Sequence, residues 1–166
     1  MGILMPHERR HRITELDPRQ LLACGIRALI LDVDNTLTTH DNPTPGPGVM
    51  EWLASAKQAG LKMIILSNNH PPRVEPFARI LGLDYEAEAK KPLWDGIRRA
   101  CKRMGVTKDE TAMVGDQIFT DILGGRLAGL HCILVDPIEP ENTRFFRCKR
   151  RLEQPVLRAF ERRNTR

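Results

Sequence analysis

The sequence predicts an α/β protein in which helices cover both faces of a parallel β-sheet, giving three layers. Two observations lead to this prediction. Short aliphatic runs, typical of strands buried on both faces, alternate along the chain with longer segments of helical apolar spacing. The aliphatic runs also end abruptly in polar residues, as strands do where they leave a sheet. Alternation of this kind is typical of a parallel sheet with helices on both faces.

Local signals justify each element. Strands are assigned to aliphatic runs, helices to apolar residues three or four apart, and loops to proline clusters. Asp17-Pro18 favours a helix start, and glycine follows most helical segments, where it favours a helix end. The predicted elements are, in chain order, a helix within 14–24, a strand at 28–31, a loop at 38–48, a helix at 49–59, a strand at 61–66, a helix at 74–81, a short strand at 84–86, a helix at 94–104, a strand at 111–114, a helix at 121–127 and a strand at 131–135.

Length and composition exclude several classes of protein. At 166 residues the chain is long enough for one substantial core, and we expect a single domain over 1–166. It contains no run of about 18 apolar residues, and we expect neither a membrane-spanning helix nor a signal peptide. Its four cysteines are far apart and form no Cys-x-x-Cys pair, so a zinc site or disulfide framework is not expected. A reducing cytoplasm fits this pattern best.

The net charge of +5 is concentrated at the ends of the chain. Residues 144–166 contain nine Lys or Arg against two Glu, and residues 1–27 contain five Arg against three acids. The middle of the chain is therefore mildly acidic. Such a distribution suits a central part that holds a divalent cation and flanks that meet an anionic surface.

The stretch from Ile30 to Leu37 is the one around which the other motifs are organised. A buried strand ends there in Asp32 and Asp34, at the sheet edge where ligands bind in open α/β folds. Two carboxylates this close repel each other unless a cation or a proton separates them. The pair is therefore a magnesium site, an acid/base pair, or both. The alternative is that these aspartates only cap a loop.

Other polar residues follow the next strands. Ser67-Asn68-Asn69 ends the second strand, where a hydroxyl and two amides can bind phosphate oxygens or cap the following helix. Lys91 precedes Pro92 at a predicted helix start, where its ammonium could lie over an anion or remain solvated.

Asp116 and Asp121 follow a third strand that ends at Gly115. If the three strands are neighbours, their polar ends meet at one rim. Carboxylate and hydroxyl oxygens without His or Cys suit magnesium rather than zinc. An aspartate nucleophile, a second carboxylate, magnesium and a lysine are the groups needed for phosphoryl transfer through an aspartyl-phosphate.

These motifs, in this order, resemble those of the haloacid dehalogenase (HAD) superfamily. The resemblance implies a Rossmann-like, HAD-like sheet. Three segments resemble subclass IIIA of this superfamily and its YqeG family: Ser67-Asn68-Asn69, Lys90-Lys91-Pro92 and residues 115–125. The C-terminal signature of that family resembles Thr143-Arg144 followed by Arg147. The family is similar to the phosphatidylglycerophosphate phosphatases of fungal mitochondria and plastids. A two-component receiver is excluded, because its lysine follows the other motifs, whereas Lys91 precedes Asp116.

The resemblance implies a role for each matched residue. Asp32 would be the nucleophile and a metal ligand. Asp34 would be the general acid and base, and its backbone carbonyl would meet the metal. Ser67 and Lys91 would bind the phosphoryl group. Asp116 would bind Mg²⁺, and Asp121 would support the metal's water shell or Lys91. Substrate-binding positions are expected at Asn68, Asn69, Arg144 and Arg147.

The short spacings between motifs leave no room for a cap domain, so the site is expected to be open to a phosphate carried on something large. A basic C-terminal helix is expected at about 144–163. It would either dock on anionic membrane at the inner face or pack on the protein with a solvated basic face. The function expected is a Mg²⁺-dependent phosphatase of phosphatidylglycerophosphate. Alternatives are a phosphatase of a soluble ester or nucleic-acid end, and a non-catalytic RNA- or ribosome-binding module. The oligomeric state does not follow from the sequence.

Overall fold

A computed structural model of the protein describes residues 2–140 and 143–164. In this described part of the chain, six parallel strands form one sheet in the order β1-β6-β5-β2-β3-β4. The strands are β1 (Glu8–Arg10), β2 (Ala28–Leu31), β3 (Lys62–Leu66), β4 (Asp84–Glu86), β5 (Thr111–Gly115) and β6 (His131–Val135). The helices are α1 (Pro18–Ala23), α2 (Val49–Ala59), α3 (Pro71–Leu81), α4 (Asp95–Met104), α5 (Leu123–Ala128) and α6 (Arg144–Asn164).

The predicted α/β class and the parallel sheet are confirmed. Strand β2 lies at the centre, between β5 and β3, and its four residues are 0% exposed. Leu29 and Leu31 belong to the core cluster on one face of the sheet, and Ile30 to the cluster on the other. A strand covered on both faces needs apolar side chains in both directions, which explains why this segment is a continuous aliphatic run.

Strand β1, which pairs with β6 at the edge of the sheet, was not predicted from the sequence. It consists of Glu8, Arg9 and Arg10 and has no apolar pattern. An edge strand is held by backbone hydrogen bonds on one side only and does not need apolar side chains. Its position follows from pairing with a distant strand, which local sequence does not reveal.

The helical segment after β5 begins at Ile118, three residues before the predicted start at Asp121. A π-helical turn, Ile118–Ile122, leads directly into α5 and places Asp121 inside the turn. Single π-turns are frequent at functional sites. This turn brings Asp121 back towards the end of β5.

The C-terminal basic helix is present as α6, and its apolar side lies on the protein. Phe160 is buried, and Val156 and Leu157 pack against the second core cluster. Leu152 is exposed. The apolar side of α6 therefore packs on the protein. Contact of its basic face with an anionic membrane stays a prediction.

No cap domain is inserted between β2 and β3, where the loop after β2 leads directly into α2. The expected single domain over 1–166 stays a prediction. Within it, Met1, residues 141–142 and residues 165–166 lie outside the described residues. Among the helices described, none combines the length and the apolar character needed to cross a membrane.

Candidate active site

The carboxyl ends of three neighbouring strands bring the predicted site residues together. Asp32 follows β2, Ser67 follows β3 and Asp116 follows β5. Leu31 is in register with Ile65 on one side and with Val114 on the other, so the three strands end at the same level. The expected common rim of the sheet is therefore present.

Three aspartates form a compact acidic cluster at this rim. Carboxylate oxygens of Asp32, Asp116 and Asp121 all lie within 4.8 Å of one another. Asp116 and Asp121 are each 1% exposed, whereas Asp32 is 8% exposed. Gly115 makes this close approach feasible, because a Cβ atom at position 115 would collide with the side chain of Asp121.

Lys91 is the cation at the centre of the site. Its ammonium donates to Asp32 Oδ1 at 2.6 Å, to Asp121 Oδ1 at 2.7 Å and to the carbonyl of Leu66 at 3.0 Å. Burial alone would lower the pKa of Lys91, but the Asp121 and Asp32 carboxylates more than offset this effect and raise that pKa. The neighbouring Lys90 is exposed, so the lysine that meets the carboxylates is Lys91, the one that the resemblance implies.

Burial also acts on the acids of the cluster. It raises the pKa of Asp32 to about 7, although the Lys91 ammonium acts in the opposite direction. Burial likewise raises the pKa of Asp116 above its ordinary range, against the effect of Arg150. Both shifts arise mainly from burial, which disfavours the charged form of the carboxylates. A bound divalent cation would favour that charged form.

The residues present fit a hard divalent cation. Asp116 Oδ1 is buried and has no hydrogen-bond partner among the residues that the structure describes. This is unusual for a buried carboxylate oxygen and leaves it open to a ligand. The cluster offers only oxygen atoms, which Mg²⁺ prefers. Asp32, Asp116 and Asp121 are therefore the side chains that could hold the ion. The Asp34 carboxylate is not among them.

The Asp34 carboxylate is held by residues outside the cluster. It accepts hydrogen bonds from Asn69 Nδ2 at 2.5 Å and from Arg73 at 3.1 Å. Arg73 also donates to the carbonyl of Asn42, so it ties Asp34 to the loop before α2. Sequence reasoning missed Arg73, which lies on α3 with no motif around it.

Ser67, Asn68 and Asn69 take different parts in the structure. Ser67 is 2% exposed, and its Oγ accepts the Asn69 N–H at 3.1 Å. The Asn68 amide accepts from the Lys91 N–H at 2.7 Å and donates to the Lys91 carbonyl at 3.1 Å. Asn68 thus positions the backbone of Lys91, and Asn69 positions Asp34. The predicted contact of both amides with substrate stays a prediction.

A small cavity of about 200 Å³ opens beside the cluster, and we call it the catalytic pocket. Its lining residues come from the motifs that follow β2, β3 and β5, from Lys91, from the loop before α2 and from α6. They are Asp32, Asp34, Asn35, His40, Ser67, Asn68, Asn69, Lys91, Gln117, Thr120 and Lys149. Of the three clustered carboxylates, only that of Asp32 belongs to a lining residue. The pocket can hold a phosphate group with a small part of its leaving group.

Helix α6 is attached to the loop that carries Asp116. The Arg150 guanidinium donates to the carbonyl and to the carboxylate of Asp116, and also to Glu153 at 3.1 Å. Glu153 is 2% exposed and accepts the Ile118 N–H at 2.8 Å. Sequence reasoning assigned no role to Arg150 or Glu153, because nothing local marks which charged residue of a basic helix faces inward.

Arg144 and Arg147, predicted to bind substrate, do not line the catalytic pocket. They line a neighbouring cavity together with Asp116 and Arg150. The structure therefore brings Asp32, Asp34, Ser67, Lys91, Asn68 and Asn69 to one pocket, and places the two arginines beside it.

Comparison with known proteins agrees with this arrangement. A family model described as haloacid dehalogenase-like hydrolase matches residues 12–129. The chain is 35% identical over 158 residues to the probable phosphatase YqeG of Bacillus subtilis (strain 168), which covers 95% of this chain and 92% of that protein. It is 27% identical over 146 residues to the chloroplastic phosphatidylglycerophosphate phosphatase 1 of Chlamydomonas reinhardtii, across 82% of this chain and 54% of that enzyme. The chain thus spans about half the length of the algal relative.

Solved structures agree on the fold. NagD from E. coli K-12 matches with a TM-score of 0.58 and 17% identity, over 69% of this chain and 90% of that chain. At this identity the likeness concerns the fold alone. The family match covers most of the chain and includes every motif at the rim of the sheet except those of the C-terminal segment. The chain therefore belongs to the haloacid dehalogenase-like hydrolase family.

Proposed function

We propose that this hydrolase is a Mg²⁺-dependent phosphatase that acts through an aspartyl-phosphate on Asp32 and removes the terminal phosphate of phosphatidylglycerophosphate. One observation carries the choice of nucleophile. Of the three clustered carboxylates, Asp32 alone lines the catalytic pocket, and it keeps 8% exposure while its two neighbours keep 1%. A nucleophile must reach the phosphorus atom, whereas a metal ligand can remain buried.

Each step falls to a side chain that lines the pocket. An oxygen of Asp32 attacks phosphorus, and the bond to the leaving alcohol breaks. Asp34 gives a proton to that alcohol and then takes one from the water that cleaves the aspartyl-phosphate. Lys91 balances negative charge on Asp32 and on the transferred group, and Ser67 holds a phosphate oxygen.

Asn69 and Arg73 prepare Asp34 for its part. Both donate to its carboxylate, so the group is held at the pocket rather than drawn into the acidic cluster. A general acid must stand within hydrogen-bond reach of the leaving oxygen, and a fixed carboxylate meets that condition more often than a mobile one.

Magnesium, when bound, would neutralise charge on the phosphoryl oxygens. Asp32 and Asp116 would hold it, together with the backbone carbonyl of Asp34. Asp121 would keep Lys91 in place and support the water shell of the ion. The buried, unpartnered Asp116 Oδ1 supports this assignment.

Two observations support a lipid substrate. The chain is similar to an algal enzyme named for phosphatidylglycerophosphate. In the described part of the chain, no cap domain that would enclose a small metabolite is inserted between the strands that carry the site. A peripheral contact with anionic membrane through the basic face of α6 belongs to the same proposal.

The test is phosphate release from phosphatidylglycerophosphate in mixed micelles, beside a panel of soluble phosphate esters. Each reaction is run with Mg²⁺, with EDTA and with Asp32→Asn. Lipid turnover that is lost in both controls is the expected result. The matched control is Asp109→Asn, which changes an exposed aspartate far from the pocket in the same way. Turnover of soluble esters alone would keep the mechanism and contradict the lipid assignment.

The alternative of a non-catalytic RNA-binding module makes opposite predictions. It requires salt-sensitive RNA binding and no effect of Asp32→Asn on any measured activity. The burial of Lys91 between two carboxylates favours the enzyme, because buried charged groups of this kind cluster at catalytic sites.

A further inference from the structure

A second cavity, of about 840 Å³, lies between α6 and the carboxyl ends of β5 and β6. We call it the arginine cavity. Its apolar wall includes Pro137, Pro140 and Leu157, all of which keep exposed surface. Its basic side consists of five arginines: Arg9, Arg144, Arg147, Arg150 and Arg151. Its volume is in the range of sites that hold an organic ligand.

The acids that line the arginine cavity are already paired. Asp136 accepts from Arg9 at 2.8 Å, and Asp116 and Glu153 both pair with Arg150. Asp116 and Glu153 are buried, and Asp136 is partly buried. Within these pairs the negative charge of the acids is largely balanced by Arg9 and Arg150. The net charge of the cavity is therefore set by the remaining arginines.

Three arginines remain. Among residues 2–140 and 143–164, no carboxylate forms an ion pair with Arg144, Arg147 or Arg151. They stand three and four positions apart on α6, a spacing that places side chains on one face of a helix. The arginine cavity thus combines uncompensated positive charge with an apolar wall.

This combination selects an anion that carries an apolar group. Inorganic phosphate would satisfy the arginines and leave the apolar wall in water. A nucleic-acid strand would call for aromatic side chains on which bases stack, and the residues described as lining the cavity include none. A phosphodiester with acyl chains satisfies both sides, because guanidinium groups bind its oxygens and the wall covers its chains.

The arginine cavity adjoins the catalytic pocket. Asp116 lines the arginine cavity, and its neighbour Gln117 lines the catalytic pocket. In the same way, Arg150 lines the arginine cavity, and its neighbour Lys149 lines the catalytic pocket. Lys149 and Gln117 are hydrogen-bonded, so one turn of α6 and the end of β5 separate the two spaces.

We propose that the arginine cavity binds the inner phosphodiester and the adjoining acyl chains of the substrate while its terminal phosphate reaches Asp32. The proposal rests on the proposed phosphatase function and adds the recognition of the rest of the substrate. A catalytic pocket of about 200 Å³ cannot hold a phospholipid, so the lipid must find its binding energy elsewhere. The substrate class is then a phosphomonoester that carries a second anion and apolar chains a few bonds away.

The test compares three substrates that share the same terminal group. They are glycerol 3-phosphate, the deacylated glycerophosphoglycerol phosphate, and phosphatidylglycerophosphate with six-carbon chains. Wild type is compared with Arg147→Gln and Arg144→Gln. The control is Arg162→Gln, an equal change of charge on the same helix at a residue that does not line the cavity.

We expect the ratio of kcat/KM for the acylated substrate to that for glycerol 3-phosphate to fall about tenfold in each cavity variant, the loss typical of one charge-assisted hydrogen bond. The deacylated compound should show part of this fall, because it keeps the diester without the chains. Arg162→Gln should keep the wild-type ratio. An equal ratio in all four proteins would overturn the proposal.

Binding is measured separately, so that a failure of the phosphatase function can be recognised. Calorimetry with six-carbon phosphatidylglycerol, the product, should show about tenfold weaker binding in Arg147→Gln than in wild type. Absence of turnover in wild type, with this difference in binding intact, would contradict the phosphatase function and keep the cavity assignment. The cavity assignment would be overturned if wild type turned over the lipid but wild type and variant bound the product equally well. It would also be overturned if an RNA oligonucleotide at equal phosphate concentration displaced the lipid.

Discussion

The guanidinium of Arg150, on the C-terminal helix, donates hydrogen bonds to both the backbone carbonyl and the carboxylate of Asp116. The carboxylate is one of the three that form the acidic cluster, and its other oxygen, Oδ1, is buried without a partner. A helix that is remote in sequence therefore supplies positive charge to the candidate metal site. The cluster has two cations, Lys91 and Arg150, for three carboxylates.

Arg150→Gln should make the protein more dependent on Mg²⁺. Without the guanidinium, the buried Asp116 carboxylate loses its partner, which destabilises the metal-free protein by about 3 kcal/mol. A divalent ion then replaces the missing charge, so the rise in melting temperature on addition of Mg²⁺ should be larger than in wild type. Thermal unfolding with EDTA and with Mg²⁺ measures both effects. A smaller rise than in wild type would mean that Arg150 mainly orients Asp116.

Lys91→Met and Lys90→Met should differ sharply although the residues are adjacent. Lys91 lies between Asp32 and Asp121 with 3% of its side chain exposed, whereas Lys90 is exposed. Removing the Lys91 ammonium leaves two buried carboxylates unpaired, and we expect a loss of about 4 kcal/mol in the free energy of unfolding. Lys90→Met should change it by less than about 0.5 kcal/mol. Urea denaturation of the metal-free proteins makes the comparison, and equal losses would contradict the assignment.

Glu153→Ala and Glu161→Ala test how α6 is attached. Glu153 is buried and accepts from the Ile118 N–H and from Arg150, so its removal should destabilise the protein by about 3 kcal/mol. Glu161 pairs with Arg9 at the surface, with 60% of its side chain exposed, and its removal should cost less than about 1 kcal/mol. The readout is again urea denaturation. Similar small losses in both variants would show that α6 is held mainly by its apolar contacts.

Stability of the metal-free protein should fall as the pH rises from about 4 to about 8. Burial raises the pKa of Asp32 to about 7 in the folded state, against an ordinary value of 3.8. In that interval the folded protein binds more protons than the unfolded chain, so raising the pH favours unfolding. Asp32→Asn removes this contribution, and its stability should decline less over the same interval.

The measurement is the free energy of unfolding in EDTA at several pH values for wild type and Asp32→Asn. Part of the decline should remain in the variant, because burial also raises the pKa of Asp116. Parallel pH profiles for the two proteins would contradict the raised pKa of Asp32. Added Mg²⁺ should reverse the trend in wild type, because the ion binds the ionised carboxylates.

Gly115→Ala should disturb the cluster without changing any charge. The added Cβ would collide with the Asp121 side chain, which cannot swing away because Lys91 and the Gln117 N–H hold it. We expect a destabilisation of about 2 kcal/mol and a weaker stabilisation by Mg²⁺. Calorimetric titration with Mg²⁺ measures the second effect. Wild-type affinity for Mg²⁺ in the variant would show that Asp121 is dispensable for the ion.

The fold class and most of the rim of the site follow from local features of the sequence. Aliphatic runs at β2, β3, β5 and β6 are local signals of buried strands, and the polar residues that follow them lie at the carboxyl edge in any parallel sheet. The helix bounds were predicted to within a few residues wherever glycine ends the helix, as at Gly60 and Gly105. These features depend on backbone preferences of neighbouring residues, which the chain carries locally.

The pairing of the inward-facing charged residues depends on the packing of elements that are distant in sequence. Lys91 meets Asp32, as the resemblance implies. The pairs of Arg73 with Asp34 and of Arg150 with Asp116 were not predicted. Each of these pairs joins residues more than thirty positions apart. Strand β1 likewise depends on a distant partner, because its charged residues become a strand by pairing with the edge of β6. The sign and spacing of charged residues along the chain do not show which partner each of them will be buried with, because the partners are brought together by the packing of distant elements.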